Sequence, residues 1–210
     1  MVIGLIAALG TVFAFGLKGG GRGVALASAQ SLLANLVNTV RLKAVTTGHE
    51  TRLLLNTDPV SDPHFARFLR YLVWQERVAD EWRTLGEVWL PEGVGLLPRD
   101  PRTPANLVAS DAVWKRADGT ALRSTALQAA GDLRLAVNSN ILESWASLSF
   151  TAAGTTFSNG DLVLATLEPL PPGSYASGES PFRFTNPENV RGLSLSRYGL
   201  ASLVSGRMGF

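Results

Sequence analysis

The sequence predicts an α+β protein, a long N-terminal α-helix packed on an antiparallel β-sheet. Three observations predict it. An uncharged apolar run opens the chain (MVIGLIAALGTVFAFG, residues 1–16), an amphipathic repeat with spacings of three and four follows, and beyond residue 48 come short apolar or alternating stretches punctuated by Gly, Pro, Asn and Asp. A helix with one apolar stripe buries it against a sheet face, which is the α+β layering.

Residues 1–16 would make a helix of about 24 Å, short of the roughly 30 Å of a bilayer core. Three readings compete: a truncated membrane helix, a signal-peptide core and a buried core helix. A signal peptide begins with positive charge, yet the first basic residue, Lys18, follows the run. A helix apolar on every side must be enclosed on every side, which a domain this small does poorly. Lipid or a filament core of like helices is the surrounding this favours. Val2, Ile3, Leu5, Ile6, Leu9, Val12, Phe13 and Phe15 are the side chains expected to face it.

Next comes Lys18-Gly19-Gly20-Gly21-Arg22-Gly23, whose glycines each cost about 1 kcal/mol relative to alanine in a helix. The expectation is a weak or broken helix, a joint over residues 17–23. A phosphate-cradling loop is the other reading of such a stretch, but no Lys-Ser or Lys-Thr closes it and no strand precedes it. From residue 24 to about 45 the apolar positions Leu26, Ala29, Leu33, Leu36, Val40 and Ala44 share one face, with Ser28, Ser31, Asn35 and Asn38 on another. That stripe is predicted to pack on the sheet, and Gly48 offers the stop. The division is therefore a helix over residues 1–48 and a sheet domain over residues 49–210.

Residues 51–56 (TRLLLN) and 67–75 (RFLRYLVWQ) read as strands joined by the turn-rich stretch DPVSDP, and residues 82–90 as a third, closed by Pro91-Glu92-Gly93. Trp74, Trp82 and Trp89 could be a stacking platform, but strand tryptophans more often pack in cores and across strands. Residues 99–140 are irregular, with an Asp118-Gly119 turn and a short helix expected near residues 121–130, and read as an insertion. Residues 145–150 and 161–167 are strand-like, residues 169–178 a Pro, Gly and Ser loop, and RGLSLS with residues 200–204 a terminal hairpin.

Composition narrows the function. The chain has 210 residues, 46% hydrophobic and only 17% charged, with mean hydropathy +0.14; soluble domains carry about a quarter charged residues. Some apolar surface is thus expected to face something other than water. A net charge of +2 without a basic run argues against nucleic acid as a partner. There is no cysteine, and His49 and His64 are the only histidines, so no metal or cofactor is expected. The residues an enzyme could use are His49 with Glu50, His64 with Asp62, or Glu76 with Asp80; no motif surrounds them, so catalysis is not expected.

MVIGLIAALG, ANLVNTVRLKAVTTGHETRLLLN and ENVRGLSLSRYGLASLV together resemble the minor pseudopilins of bacterial type II secretion, relatives of type IV pilins. The likeness is of pattern and arrangement and runs over most of the chain. It implies a pilin-like fold and a structural subunit of a secretion or pilus-like filament. It further implies an inner-membrane anchor, a sheet domain in the periplasm, other pilin-like subunits as partners, and no active site or cofactor. Pilin precursors carry a basic residue, a glycine and a Phe-Thr-Leu-Ile-Glu type stretch ahead of this helix, absent from this sequence. The resemblance implies that roughly half a dozen residues and a leader precede Met1, a gap that also fits the short apolar run. Prepilin peptidase is then a partner, and the roles of that glycine and glutamate fall on no residue here. The competing reading is a membrane-tethered module that binds carbohydrate or protein through its aromatic strands and Pro-rich loops.

Overall fold

The structure is a computed structural model that describes residues 2–59, 67–100, 104, 106–108, 113–135 and 142–210, with side chains from residue 21 onward. Among the described residues the helix α1 (Val2–Thr47) precedes ten strands. Where the glycines of residues 17–23 were expected to weaken or break it, the helix is continuous. Glycine weakens a helix but keeps its N–H, and no proline interrupts the ladder. The helix stops where predicted: Gly48 takes φ +68°, and its N–H donates to the Ala44 carbonyl at 2.9 Å. Glycine accepts that left-handed conformation without steric cost.

The strands are β1 (Thr51–Asn56), β2 (Tyr71–Val78), β3 (Glu81–Trp89), β4 (Val94–Leu96), β5 (Gln128–Leu133), β6 (Glu143–Phe150), β7 (Gly160–Pro169), β8 (Phe182–Thr185), β9 (Arg191–Leu195) and β10 (Ala201–Ser205). They form two antiparallel sheets rather than the one expected. The first has order β3-β2-β1-β6-β5; the second has order β10-β9-β7-β4, with β8 also on β7. The long β7 makes this second sheet: β9 pairs with its first half, β8 with its second, and β4 with its other edge. Strands β4 and β8, of three and four residues, are too short to show a period.

The helix expected near residues 121–130 is absent. Residues 128–133 are instead β5, paired with β6 through a bulge at Ala129/Gly131 where Gly131 takes φ +76°. Just before it the chain runs beside β7. There Ala126 N–H donates to the Asp161 carbonyl, and the Ser124 hydroxyl oxygen accepts from Val163 N–H at 2.9 Å. Tertiary pairing has overridden the local preference of alanine and leucine for helix. The Asp118-Gly119 turn is present, with Arg116 N–H donating to the Thr120 carbonyl.

The described part of the insertion is packed rather than loose. Leu107, Trp114, Leu122 and Ala126 join the main core, Trp114 meets Phe184 edge-on at 6.0 Å, and Arg116 pairs with Asp161 at 2.7 Å. That main core lies between α1 and the two sheets, the helix touching β1 and β6 of one and β4, β7, β9 and β10 of the other.

Candidate assembly surface

The helix is fixed to the domain along one stripe. Leu26, Ala29, Leu33, Val40 and Ala44 are fully buried and Leu36 nearly so, all within the main core. Ser28, Ser31, Asn35 and Asn38 are exposed. Val37 and Gln30 complete the buried face. Gln30 is the polar member: its Nε2 donates to the Gly192 carbonyl at 2.8 Å and to the Val204 carbonyl at 2.7 Å, while its Oε1 accepts from Arg191. Gly192 and Val204 face each other across β9 and β10, so one side chain pins the helix to a strand pair. A Cβ at Gly192 would come within 1.9 Å of the Leu162 carbonyl oxygen, so only glycine fits here. A glutamine amid six apolar stripe positions was the readable signal for this contact, and sequence reasoning passed over it.

The far end of the helix has a polar anchor built on Glu76 of β2. Its carboxylate meets His49 Nδ1 at 3.1 Å and Lys43 Nζ at 3.6 Å. A hydrogen bond from Thr47, then those of His49 and the charge of Lys43, hold the Glu76 carboxyl below its ordinary range against the opposing effect of burial. Thr51 Oγ1 donates to the Val40 carbonyl at 2.9 Å, and Arg41 Nε reaches the Gly154 and Tyr198 carbonyls at 3.1 Å each. Both ends of the packed half are thereby tied to the sheets.

Among the described side chains of the helix, Leu26 is the first that is fully buried; Gly21, Arg22 and Val24 ahead of it are exposed, and Arg22 pairs with Glu168 of β7 at 2.6 Å. Residues 2–25 as a regular helix measure about 36 Å. Gly21–Thr47 is by length and composition apolar enough to cross a membrane, with mean hydropathy 1.2, but its apolar stripe is the one spent on the core. The side chains expected to face lipid or a filament, Val2 to Phe15, precede the described side chains.

The catalytic candidates do not converge. His49 turns to Glu76 rather than to Glu50, which pairs with Arg77. Asp80 sits in the β2–β3 turn and holds Arg77 as well. His64 and Asp62 lie outside the described residues. Among the described residues no three His, Asp or Glu side chains are grouped to hold a metal.

The three tryptophans do not make one platform. Trp74 packs against the helix-side core, whereas Trp82 and Trp89 oppose Arg77 and Tyr71 on the other face. Trp89 lies 4.7 Å from the Tyr71 ring. Around Tyr71 that outer face carries a second small core of Leu54, Val73, Leu135 and Trp145. It also carries a buried Arg67–Glu143 pair, bidentate at 2.7 and 3.0 Å and joined by Asn56. Tyr71 donates to Glu87, and burial first, then that bond, pushes its hydroxyl well above the ordinary tyrosine range.

What these features define is an α+β protein whose long helix is packed on two antiparallel sheets along Leu26 to Ala44. No family model and no curated protein matches the chain. Two solved structures are similar to it, both of the minor pseudopilin EpsH from the type II secretion system of Vibrio cholerae. One has 15% sequence identity and TM-score 0.41 over 88% of this chain and 96% of that one. The other has 16% identity and TM-score 0.42 over 87% and 96%.

Proposed function

We propose that the chain is a structural, pilin-like subunit of a type II secretion or type IV pilus-like filament. Its helix is held in the bacterial inner membrane and then among like helices, and its sheet domain faces the periplasm. One observation supports this: α1 is continuous from Val2 to Thr47, the stripe that its described side chains bury runs from Leu26 to Ala44, and residues 1–16 ahead of it carry no charge. An uncharged apolar helical stretch of that kind calls for an apolar surrounding. A helix apolar on all sides is at home in lipid or among copies of itself, so a subunit moves from one to the other at low net cost. The role is mechanical and needs no catalytic step; Glu76, His49, Arg77 and Asp80 act as fasteners.

The test uses the absence of native cysteine. The full chain carrying Leu9→Cys, produced in a bacterium with a pilin-like secretion system, is expected to sediment with membranes and to form disulfide-linked products with pilin-like subunits under mild oxidation. A chain found wholly soluble and monomeric would overturn the reading.

A further inference from the structure

The outer face of the first sheet holds Arg52, a cation that has no carboxylate partner among the described residues. Arg52 of β1 lies between Ser149 of β6 and Gln75 of β2 in the strand register, and Gln75 in turn opposes Thr84 of β3. Arg52 Nε donates to Gln75 Oε1 at 2.8 Å, and Gln75 Nε2 donates to Thr84 Oγ1 at 3.1 Å. Its guanidinium carbon sits 4.1 Å from the centre of the Trp82 ring. The head group is thus held through Nε and stacked on one face, and among the described residues its two terminal nitrogens donate no hydrogen bond within the domain.

Arg41 and Arg191, like Arg52, bond only neutral oxygens among the described residues, whereas others of this domain are paired with carboxylates. Arg67, Arg116 and Arg207 each hold a carboxylate within 2.8 Å. No carboxylate among the described residues lies within ion-pair distance of Arg52, and burial lowers its pKa to about 10 with no compensating charge. A planar fork with two free donors matches a carboxylate in bidentate geometry. Half-buried Trp and Arg are also the side chains that anchor protein contacts.

We propose that Arg52 and Trp82 form the anchor of a docking site for an aspartate or glutamate side chain of a partner polypeptide, laid over the β1–β2–β3 face. The assignment rests on this sheet face alone, whatever surrounds the N-terminal helix. Arg52 supplies two parallel N–H donors, Gln75 fixes their direction, Trp82 shields them from water, and Ser149 and Thr84 flank them as polar rim.

The test is a titration of the full chain in non-ionic detergent micelles, read by the indole N–H resonance of Trp82 and the Nε–H resonance of Arg52. Acetyl-Ala-Glu-Ala-amide is expected to shift both saturably, and acetyl-Ala-Gln-Ala-amide to bind about tenfold more weakly or worse, since a charge-assisted pair is lost. Arg52→Gln is expected to abolish the response and Arg52→Lys to leave a weakened one. Ser149→Glu places a carboxylate opposite Arg52, and is expected to block the peptide while melting no lower than the parent chain. Equal response to both peptides, undiminished binding by Arg52→Gln or Ser149→Glu, or binding of inorganic phosphate without binding of the Glu peptide would each overturn the proposal.

Discussion

The two halves of α1 are built from different physics, although one unbroken helix contains both. Between Leu26 and Ala44 the apolar residues form a stripe, the rest of the surface is polar, and two clusters of hydrogen bonds, at Gln30 and at Glu76, fix the helix against sliding or rolling. From Val2 to Phe15 there is neither stripe nor charge. A stripe specifies one partner surface and one register; a uniform apolar cylinder specifies neither and can exchange one apolar surrounding for another. The difference teaches that helix propensity and hydrophobicity alone do not say what a helix is for. The angular distribution of the apolar residues does.

Substitutions can break the comparison, and the largest effect is expected in the packed half. Leu33→Ala should cost about 3 kcal/mol of domain stability, as for other fully buried leucines, read in urea unfolding of the full chain in detergent. Gln30→Ala follows, at about 2 kcal/mol, because the Gly192 and Val204 carbonyls lose their donors inside the core.

Glu76→Gln comes next, at about 1 kcal/mol near neutral pH, and it changes the pH profile as well. The folded Glu76 carboxyl titrates below its unfolded value, so its contribution is present above the unfolded pKa and is lost as pH falls through the folded one. Stability of the parent chain should therefore drop on acidification below the ordinary carboxylate range, and the Gln variant should lose part of that slope. The smallest effect is expected at the boundary between the halves. Gly21→Ala meets no atom within 4 Å, so it should add up to about 1 kcal/mol of local helix stability, seen as more helical circular dichroism with little change in the domain melt.

The sequence made the helix and its stripe legible because the period of 3.6 extends over some twenty residues and only one face is apolar. It made β1, β3, β6, β7 and the β9–β10 hairpin legible for the matching reason, a run of strand formers closed by Gly or Pro signals. Strand β2 was legible only in part, since residues 67–70 form the turn before it rather than its start, with Leu69 at φ +57°. What was not legible depends on contacts far apart in the chain. The strand in place of a helix at residues 128–133 and the split into two sheets are of this kind. So is the Glu76 anchor: Lys43, Thr47, His49 and Glu76 have no common period, and only the pairing of β1 with β2 brings them together. Arg52 and Trp82 are likewise thirty positions apart with no motif, joined by the two hairpin registers.

The proposal that matters most is that the packed half of α1 holds the domain together while its uncharged start holds the subunit in its surroundings. The most direct measurement is Leu9→Arg beside Leu33→Ala, each scored for membrane sedimentation in cells and for thermal melting of the domain. The account predicts that Leu9→Arg releases the chain from the membrane fraction and leaves the melting temperature where it was, and that Leu33→Ala lowers the melting temperature while the chain still sediments with membranes. A Leu9→Arg chain that stays with the membrane, or that melts as low as the Leu33→Ala chain, would contradict it.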